Sequence, residues 1–374
     1  MTDDEASEVG PKPLRRFWRS ALGFWSGRRG WLPWSLIGVL VVCVVLQLLV
    51  QYRLNLWNRD FFNALEVRNG REILHQTALL PGLAAASVAL GVLAVWGRMT
   101  FQRTWRGWLT EHLLRLWLEN ANYRRVEADS PEPQLAEYRI AEDARVATDA
   151  PIDLAVGLLA SLLTAATFVA VLWTVGGALA VPLAGSVVEL PGYLVLASVL
   201  YAVLTTAGMI AVGHHMAPVI ERKNQAESEL KFAIARLRQD GDGNGDPPGR
   251  RLPVGFALAE VLRQWRRLAG QHMRTTLVSH GNTLLAPLVG LILCVPKYVE
   301  GSIQLGEVTQ AAAAFAAVQG AFNWLVDNYP RLAEWASSAS RVGSLLLVLD
   351  RVTVDPGGRP VGATAAAVPA GLDR

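Results

Sequence analysis

The run Trp31-Leu-Pro-Trp-Ser-Leu-Ile-Gly-Val-Leu-Val-Val-Cys-Val-Val-Leu-Gln-Leu-Leu-Val-Gln-Tyr52 contains no acidic or basic side chain. At 1.5 Å rise per residue, about 20 helical residues cross a hydrocarbon core of roughly 30 Å. Water is absent there, so the backbone must bond to itself, and a run of this length reads as a membrane-spanning helix. Five more uncharged runs follow, at 75–97, 154–177, 190–213, 275–296 and 308–326. The pattern predicts an all-α membrane protein with six transmembrane helices.

Composition agrees. Of 374 residues, 52% are hydrophobic and 18% charged, against about 25% charged in soluble domains. The mean hydropathy is +0.27. These values argue against a soluble enzyme and a disordered chain. A net charge of +3 gives no overall field for nucleic acid. Cys43 and Cys294 both sit in apolar runs, which disfavours a disulfide scaffold or a cysteine zinc site.

Six spans put both ends of the chain on one side. With the N-terminus inside, the internal segments carry 30 Lys and Arg residues and the external loops five, so both termini are expected in the cytoplasm. The expected plan is a basic cytoplasmic segment 1–30, a transmembrane domain 31–350 and a disordered tail 351–374 rich in Pro, Gly, Ala and Val.

Two internal segments are long. In 98–151, Trp105, Trp108, Leu109, His112, Leu113, Leu116 and Trp117 recur at three and four residues, so the second span is predicted to continue as helix into the cytoplasm. Ser130-Pro131-Glu132-Pro133 breaks it. Helix resumes near Gln134 and returns through Asp149-Ala150-Pro151. Segment 213–274 repeats the plan: helix over 221–238, a Gly- and Asp-rich loop over 239–249, and helix again near Val254. Helical hairpins on one side and short loops on the other suit a machine driven from inside.

Four stretches carry a family resemblance: Leu56-Trp-Asn-Arg-Asp-Phe-Phe-Asn-Ala-Leu-Glu66; Thr104-Trp-Arg-Gly-Trp-Leu-Thr110 with Leu113-Leu-Arg-Leu-Trp-Leu118; Tyr138-Arg-Ile-Ala-Glu-Asp143; and Lys223-Asn-Gln-Ala-Glu-Ser-Glu229. A weaker fifth is Gly301-Ser-Ile-Gln-Leu-Gly306 with Ala314-Phe-Ala-Ala-Val-Gln319. Together they resemble the membrane domain shared by SbmA/BacA peptide transporters and subfamily D-like ABC transporters. The resemblance implies an exporter-type six-helix fold in a homodimer that exchanges helices between subunits, in a bacterial inner membrane. It implies import of peptides or other hydrophilic solutes, by the proton gradient in SbmA/BacA members and by an ATPase domain after the sixth helix in ABC members. The four lysines follow Pro11, Arg222, Leu230 and Pro296, so none is a P-loop lysine, which needs a preceding glycine. With a tail too short for an ATPase domain, no cofactor is expected. The leading expectation is a proton-linked importer. The alternatives are the membrane subunit of an ABC transporter whose ATPase is a separate chain, and a non-transporting scaffold. None of these is an enzyme in its own right.

Within the sixth span, Gln319, Asn323, Asp327 and Arg331 recur every four residues, on one helical stripe, with Trp324 and Glu334 beside it. Polar groups in a span face a bundle interior or water, which predicts a cavity wall for substrate. Asp327 and Glu334 are candidate proton carriers. The plainer alternative is an ion pair between Asp327 and Arg331. Asp153, Glu227 and Glu229 are further proton candidates. Ordinary helix-start chemistry competes for Asp153, and a solvated face paired with Arg222, Lys223 and Lys231 competes for the two glutamates. The resemblance makes Trp57, Asn58, Arg59 and Asp60 an outer gate and Arg139, Glu142 and Asp143 an internal coupling motif. His214-His215 lacks a third ligand at metal-like spacing and reads as a helix-end cap, so no metal is expected.

Overall fold

The computed structural model describes residues 11–26, 30–124, 135–183, 186–239 and 252–354. Its elements are α1 (Pro11–Ser26), α2 (Trp31–Glu66), α3 (Gly70–Leu118), a short α4 (Leu135–Tyr138) running through a π-turn at Arg139–Asp143 into α5 (Ala144–Gly176), β1 (Ala178–Leu183), β2 (Ser186–Pro191), α6 (Tyr193–Gly213), α7 (Met216–Gln239), α8 (Leu252–Val299) and α9 (Leu305–Val354).

Among the described residues, five helical runs are long and apolar enough to cross a membrane: α2, α3, α4 with α5, α6 with α7, and α8. The sixth predicted span, 308–326, is helical within α9 but lies outside this group. Its hydropathy is diluted by alanine, Gln310, Gln319 and Asn323. Ala311, Ala314, Phe315, Val318 and Gln319 are all buried. A helix enclosed by protein needs close packing more than bulk, and small residues let backbones approach. The opposite case is α3, none of whose apolar window is buried; Val88, Val92 and Trp96 stand exposed there, as a lipid-facing surface should.

The helical extensions form as expected. Helix α3 runs on to Leu118, and α4 leads through Pro151 into α5. The break at 130–133 and most of the loop 239–249 lie outside the described residues; of the tail expected over 351–374, residues 351–354 are instead the last turn of α9 and the rest lie outside the described residues. The expected uninterrupted helix after the fourth span is divided instead: α6 ends at Gly213 and α7 starts at Met216.

By contact the chain divides into two compact units, one of residues 1–54, 78–163 and 327–374, the other of 55–77 and 164–326. The core of the first gathers Leu40 from α2, Phe101, Trp105, Leu109 and Leu113 from α3, Ala144 and Ala147 from α5, and Val342, Leu346 and Leu349 from α9. It also holds Phe17, Ala21 and Phe24 of α1. The expected boundary at residue 31 is therefore wrong: α1 is part of the bundle. Its spacing at i, i+4 and i+7 was present in a segment that reads as merely polar and basic. In the second unit α8 packs along α6 and α7, and the Tyr193 hydroxyl donates to the Leu293 carbonyl at 3.0 Å.

Two further departures are informative. The expected loop 178–189 is an antiparallel hairpin, with Ala178 opposite Pro191 and Leu183 opposite Ser186. Val181, Val187 and Val188 supply the β-branched character that strands favour. Pro330, expected to kink or end the sixth span, does not end it, since α9 continues to Val354. Proline lacks the N–H that would reach the carbonyl four residues back. For Pro151 that carbonyl is Ala147, and the Trp335 indole N–H donates to it at 3.3 Å. For Pro81 and Pro330 the carbonyls are Thr77 and Val326, the last residues before the crossings between units.

A Cβ on Gly343 would run into the Pro13 carbonyl, so Gly343→Ala must force α1 from α9. The expected cost is about 1–3 kcal/mol, read as a lowered thermal midpoint of the purified protein. Gly320→Ala, in open space, should leave the midpoint unchanged or raise it slightly.

Candidate functional site

The π-turn at Arg139–Asp143 carries the third motif, and it turns Ile140 and Asp143 inward. A wide turn of this kind adds a residue to the helical repeat and re-aims side chains, often at functional sites. Asp143 is 1% exposed. Its carboxylate accepts two bonds from Arg341 of α9, at 2.8 and 2.6 Å. The same guanidinium donates to the hydroxyls of Ser337 at 2.6 Å and Ser338 at 2.9 Å. A buried carboxylate held by a planar fork is both charge-neutralised and fixed in direction. Glu142 turns outward and pairs with Arg145 at 2.5 Å. Arg139, the third member of the motif, is half-buried.

Ten residues on, Asp153 ties three helices of the same unit together. One of its oxygens lies 3.4 Å from Arg98 and 3.0 Å from the Gln102 amide, both of α3. The other lies 2.9 Å from Arg331 of α9. The carboxylate is only 14% exposed. The alternative of an Asp327–Arg331 ion pair is not what forms: Arg331 reaches across to Asp153. Asp327 is exposed and makes no ion pair among the described residues. At the far end of α9, Arg16 of α1 forks onto Asp350 at 2.6 and 2.9 Å, and this hydrogen bonding holds the guanidinium above its ordinary pKa. Three acid–arginine contacts thus fasten α1, α5 and the π-turn to one helix, α9, and Asp153 ties α3 to α5.

In the other unit, two of the quoted motifs meet. The first residues of α9 leave backbone N–H groups without helical partners. Leu305 N–H donates to Glu66 at 2.9 Å, and Gly306 N–H to Asn63 at 2.7 Å. Tyr298 donates its hydroxyl to the other Glu66 oxygen at 3.1 Å. Gly306 admits no side chain, because a Cβ would overlap the Arg59 carbonyl and Asn63. Of the expected outer-gate residues, Trp57 donates to the Gln76 carbonyl at 2.7 Å and stacks on Phe61 at 5.2 Å. Arg59 and Asp60 pair only with each other among the described residues, at 2.9 Å, and Asn58 is half-buried. Asn63 and Glu66, at the end of the motif rather than in its charged centre, make the contacts to α9.

The stripe on α9 is divided in use. Gln319 is 1% exposed and donates to the Ser198 carbonyl of α6 at 2.8 Å. Asn323 and Trp324 are half-buried, and Glu334 is exposed. Glu227 pairs with Lys223 at 3.0 Å, the solvated-face alternative. Glu229 accepts a bond from Gln225 at 3.2 Å. The rings of His214 and His215 lie 3.7 Å apart and exposed. His214 is the C-cap residue of α6, as expected, its backbone N–H donating to the Ile210 carbonyl at 2.9 Å, and Gln271 donates to the Val212 carbonyl beside it. Among the described residues no group of histidine, cysteine and acidic side chains could hold a metal. A cavity of about 830 Å³ lies along α3, lined by Arg103, Arg106, Thr110, Glu111, Arg115 and Asp149 among others.

A bundle of long apolar helices with helical extensions, laced by acid–arginine pairs, defines a polytopic transporter-type membrane domain. Residues 26–241 match the family described as ABC transporter transmembrane region 2, and the chain belongs to that family. It is 24% identical over 325 residues to the inner membrane ABC transporter ATP-binding protein YddA of Escherichia coli, covering 85% of this chain and 58% of that protein. It is 25% identical over 323 residues to an uncharacterized ABC transporter ATP-binding protein of Synechocystis, covering 84% and 46%. Similarity extends to the chloroplastic ABC transporter D family member 2 of Arabidopsis thaliana, 20% identical over 308 residues, covering 79% and 40%. The chain spans about half the length of these curated relatives. They support the ABC side of the expected resemblance over the SbmA/BacA side.

Asp143→Asn should strand the Arg341 charge. The expected destabilisation is about 2–4 kcal/mol, below the range for a fully enclosed pair because 36% of the Arg341 side chain is exposed. The double variant Asp143→Asn with Arg341→Gln should recover at least half of that loss, measured as chemical or thermal unfolding in detergent.

Proposed function

We propose that this chain acts as the membrane-spanning part of an ABC-type transporter, with nucleotide hydrolysed by an ATPase outside these 374 residues. One observation carries the reading. The chain resembles ABC transporter ATP-binding proteins along 85% of its length, yet none of its four lysines follows a glycine as a P-loop requires. The reading treats the chain as half of a homodimer in a bacterial inner membrane, both termini in the cytoplasm, moving peptides or other hydrophilic solutes by alternating access.

In this reading the ties of α9 to Asp143 and Asp153 carry motion from the side where an ATPase would dock. The Asn63 and Glu66 contacts to Leu305 and Gly306 close the opposite end. Gln319, Asn323 and Trp324 line the solute path. A second reading keeps the proton-coupled import of the SbmA/BacA resemblance, supported by Asp327, which is exposed and makes no ion pair among the described residues.

Uptake of a labelled proline-rich peptide into proteoliposomes separates the two. The purified chain alone should neither hydrolyse ATP nor admit peptide under an imposed pH gradient. Adding its ATPase with ATP should give vanadate-sensitive flux. Gradient-driven flux without any ATPase would overturn the leading reading, and Asp327→Asn should then abolish that flux if Asp327 carries the proton.

A further inference from the structure

We propose that Arg103 and Arg106 of α3 hold the phosphate of an anionic phospholipid whose acyl chains lie along the same face of that helix. At 100° per residue, Val88, Val92, Trp96, Met99, Arg103 and Arg106 fall within about 80° of arc. All six are exposed, and none of the apolar window of α3 is buried. One lipid-facing stripe thus passes directly from apolar to cationic. Neither arginine makes an ion pair among the described residues. The acids around them are held by other arginines: Glu142 and Asp149 lie 2.5 and 3.6 Å from Arg145, and Glu111 lies 3.4 Å from Arg115. The cavity of about 830 Å³ along α3 begins at Arg103 and Arg106. Gly107 borders it with open space where a side chain would stand.

The register of α2 against α3 sets the depth of this pair. Gly97 packs on Leu40, and Gln47 donates to the Ser87 hydroxyl at 2.9 Å, so the two helices run antiparallel. Arg106 lies nine residues beyond Gly97, and Trp31 lies nine before Leu40. At about 1.5 Å rise per residue they share one level. The same count sets Arg103 level with Trp34, and Trp25 bridges that level, 5.3 Å from Trp34 and 5.8 Å from Phe101. The uncharged run of α3 ends at Gly97, whereas that of α2 reaches Trp31. The edge of the hydrocarbon therefore falls between the levels of Gly97 and Arg106, with Arg103 inside that interval. Helical side chains lean toward the helix N-terminus, which for α3 is back toward the membrane. Trp31 and Trp34 are exposed at the same depth, where tryptophan rings sit among headgroups. Two guanidiniums one turn apart offer planar forks to a phosphate. A zwitterionic headgroup brings its own cation against them; an anionic one does not.

The test uses the purified full chain, with phosphatidylglycerol or phosphatidylcholine as probe and retained lipid counted by native mass spectrometry. The unaltered chain should retain phosphatidylglycerol in preference to phosphatidylcholine. The double variant Arg103→Gln, Arg106→Gln should lose about tenfold or more in phosphatidylglycerol affinity, as the attraction of two cations to an anionic headgroup requires. The charge-retaining double Arg103→Lys, Arg106→Lys should keep most of it, which separates charge from a folding defect. Soluble glycerol phosphate should fail to displace the lipid; displacement would make a free phosphate ester the ligand and overturn the assignment to lipid. Phosphatidylglycerol binding that survives neutralisation of the pair, or an equal loss in the lysine variant, would also overturn the proposal. As a positional control, Lys12→Gln, Arg15→Gln, Arg19→Gln on α1 should leave the affinity within about twofold; a loss confined to that variant would place the lipid there instead.

Discussion

A peptide group in hydrocarbon has no partner except another peptide group, and this constraint dictates the architecture. It explains why the six long apolar runs are helical over nearly all their length. It also explains why the interruptions are managed so closely. Each helix-internal proline leaves one carbonyl unbonded. At Pro151 the debt is met by an indole from another helix, Trp335. The ends of helices are treated in the same way: Glu66 and Asn63 satisfy the first N–H groups of α9, and Gln271 satisfies a carbonyl at the end of α6. Side chains that look unremarkable in sequence are thus placed by backbone groups that would otherwise be left dry.

Much of the fold was legible for the same reason. Uncharged runs near 20 residues admit one structure, and the helical extensions followed from a stripe of Trp and Leu at three- and four-residue spacing. Short elements were not legible. The stretch 178–191 reads equally as loop or hairpin, because its prolines and β-branched residues pull in different directions. Helix α1 was hidden by its own charge: four cations in 16 residues read as a solvated tail until the three aromatic and small residues beneath them are seen in the core.

The site was legible in kind but not in partnership. Asp143, Asp153 and Arg331 stood out as polar groups at the margins of apolar runs. Sequence offers only neighbours within a turn, so the one partner it suggests for Arg331 is Asp327, the alternative to a cavity wall. The actual acid is Asp153, 178 residues earlier. Likewise, nothing local to Asp143 indicates Arg341. Long-range ion pairs become visible only when helix packing is known, whereas the pairs read correctly, such as Lys223 with Glu227, lie one turn apart.

These partnerships give α9 a distinctive place. Over 308–326 it is alanine-rich and enclosed, and it contributes amides rather than charges to the interior. Beyond Pro330 it becomes a strut to which Asp153, Asp143 and Arg16 are each bound by charge. Apolar packing is tolerant of sliding, since one methyl contact replaces another at little cost. A forked arginine–carboxylate contact is not, because its two bonds must break together. The strut is therefore held in register against the helices it is bonded to.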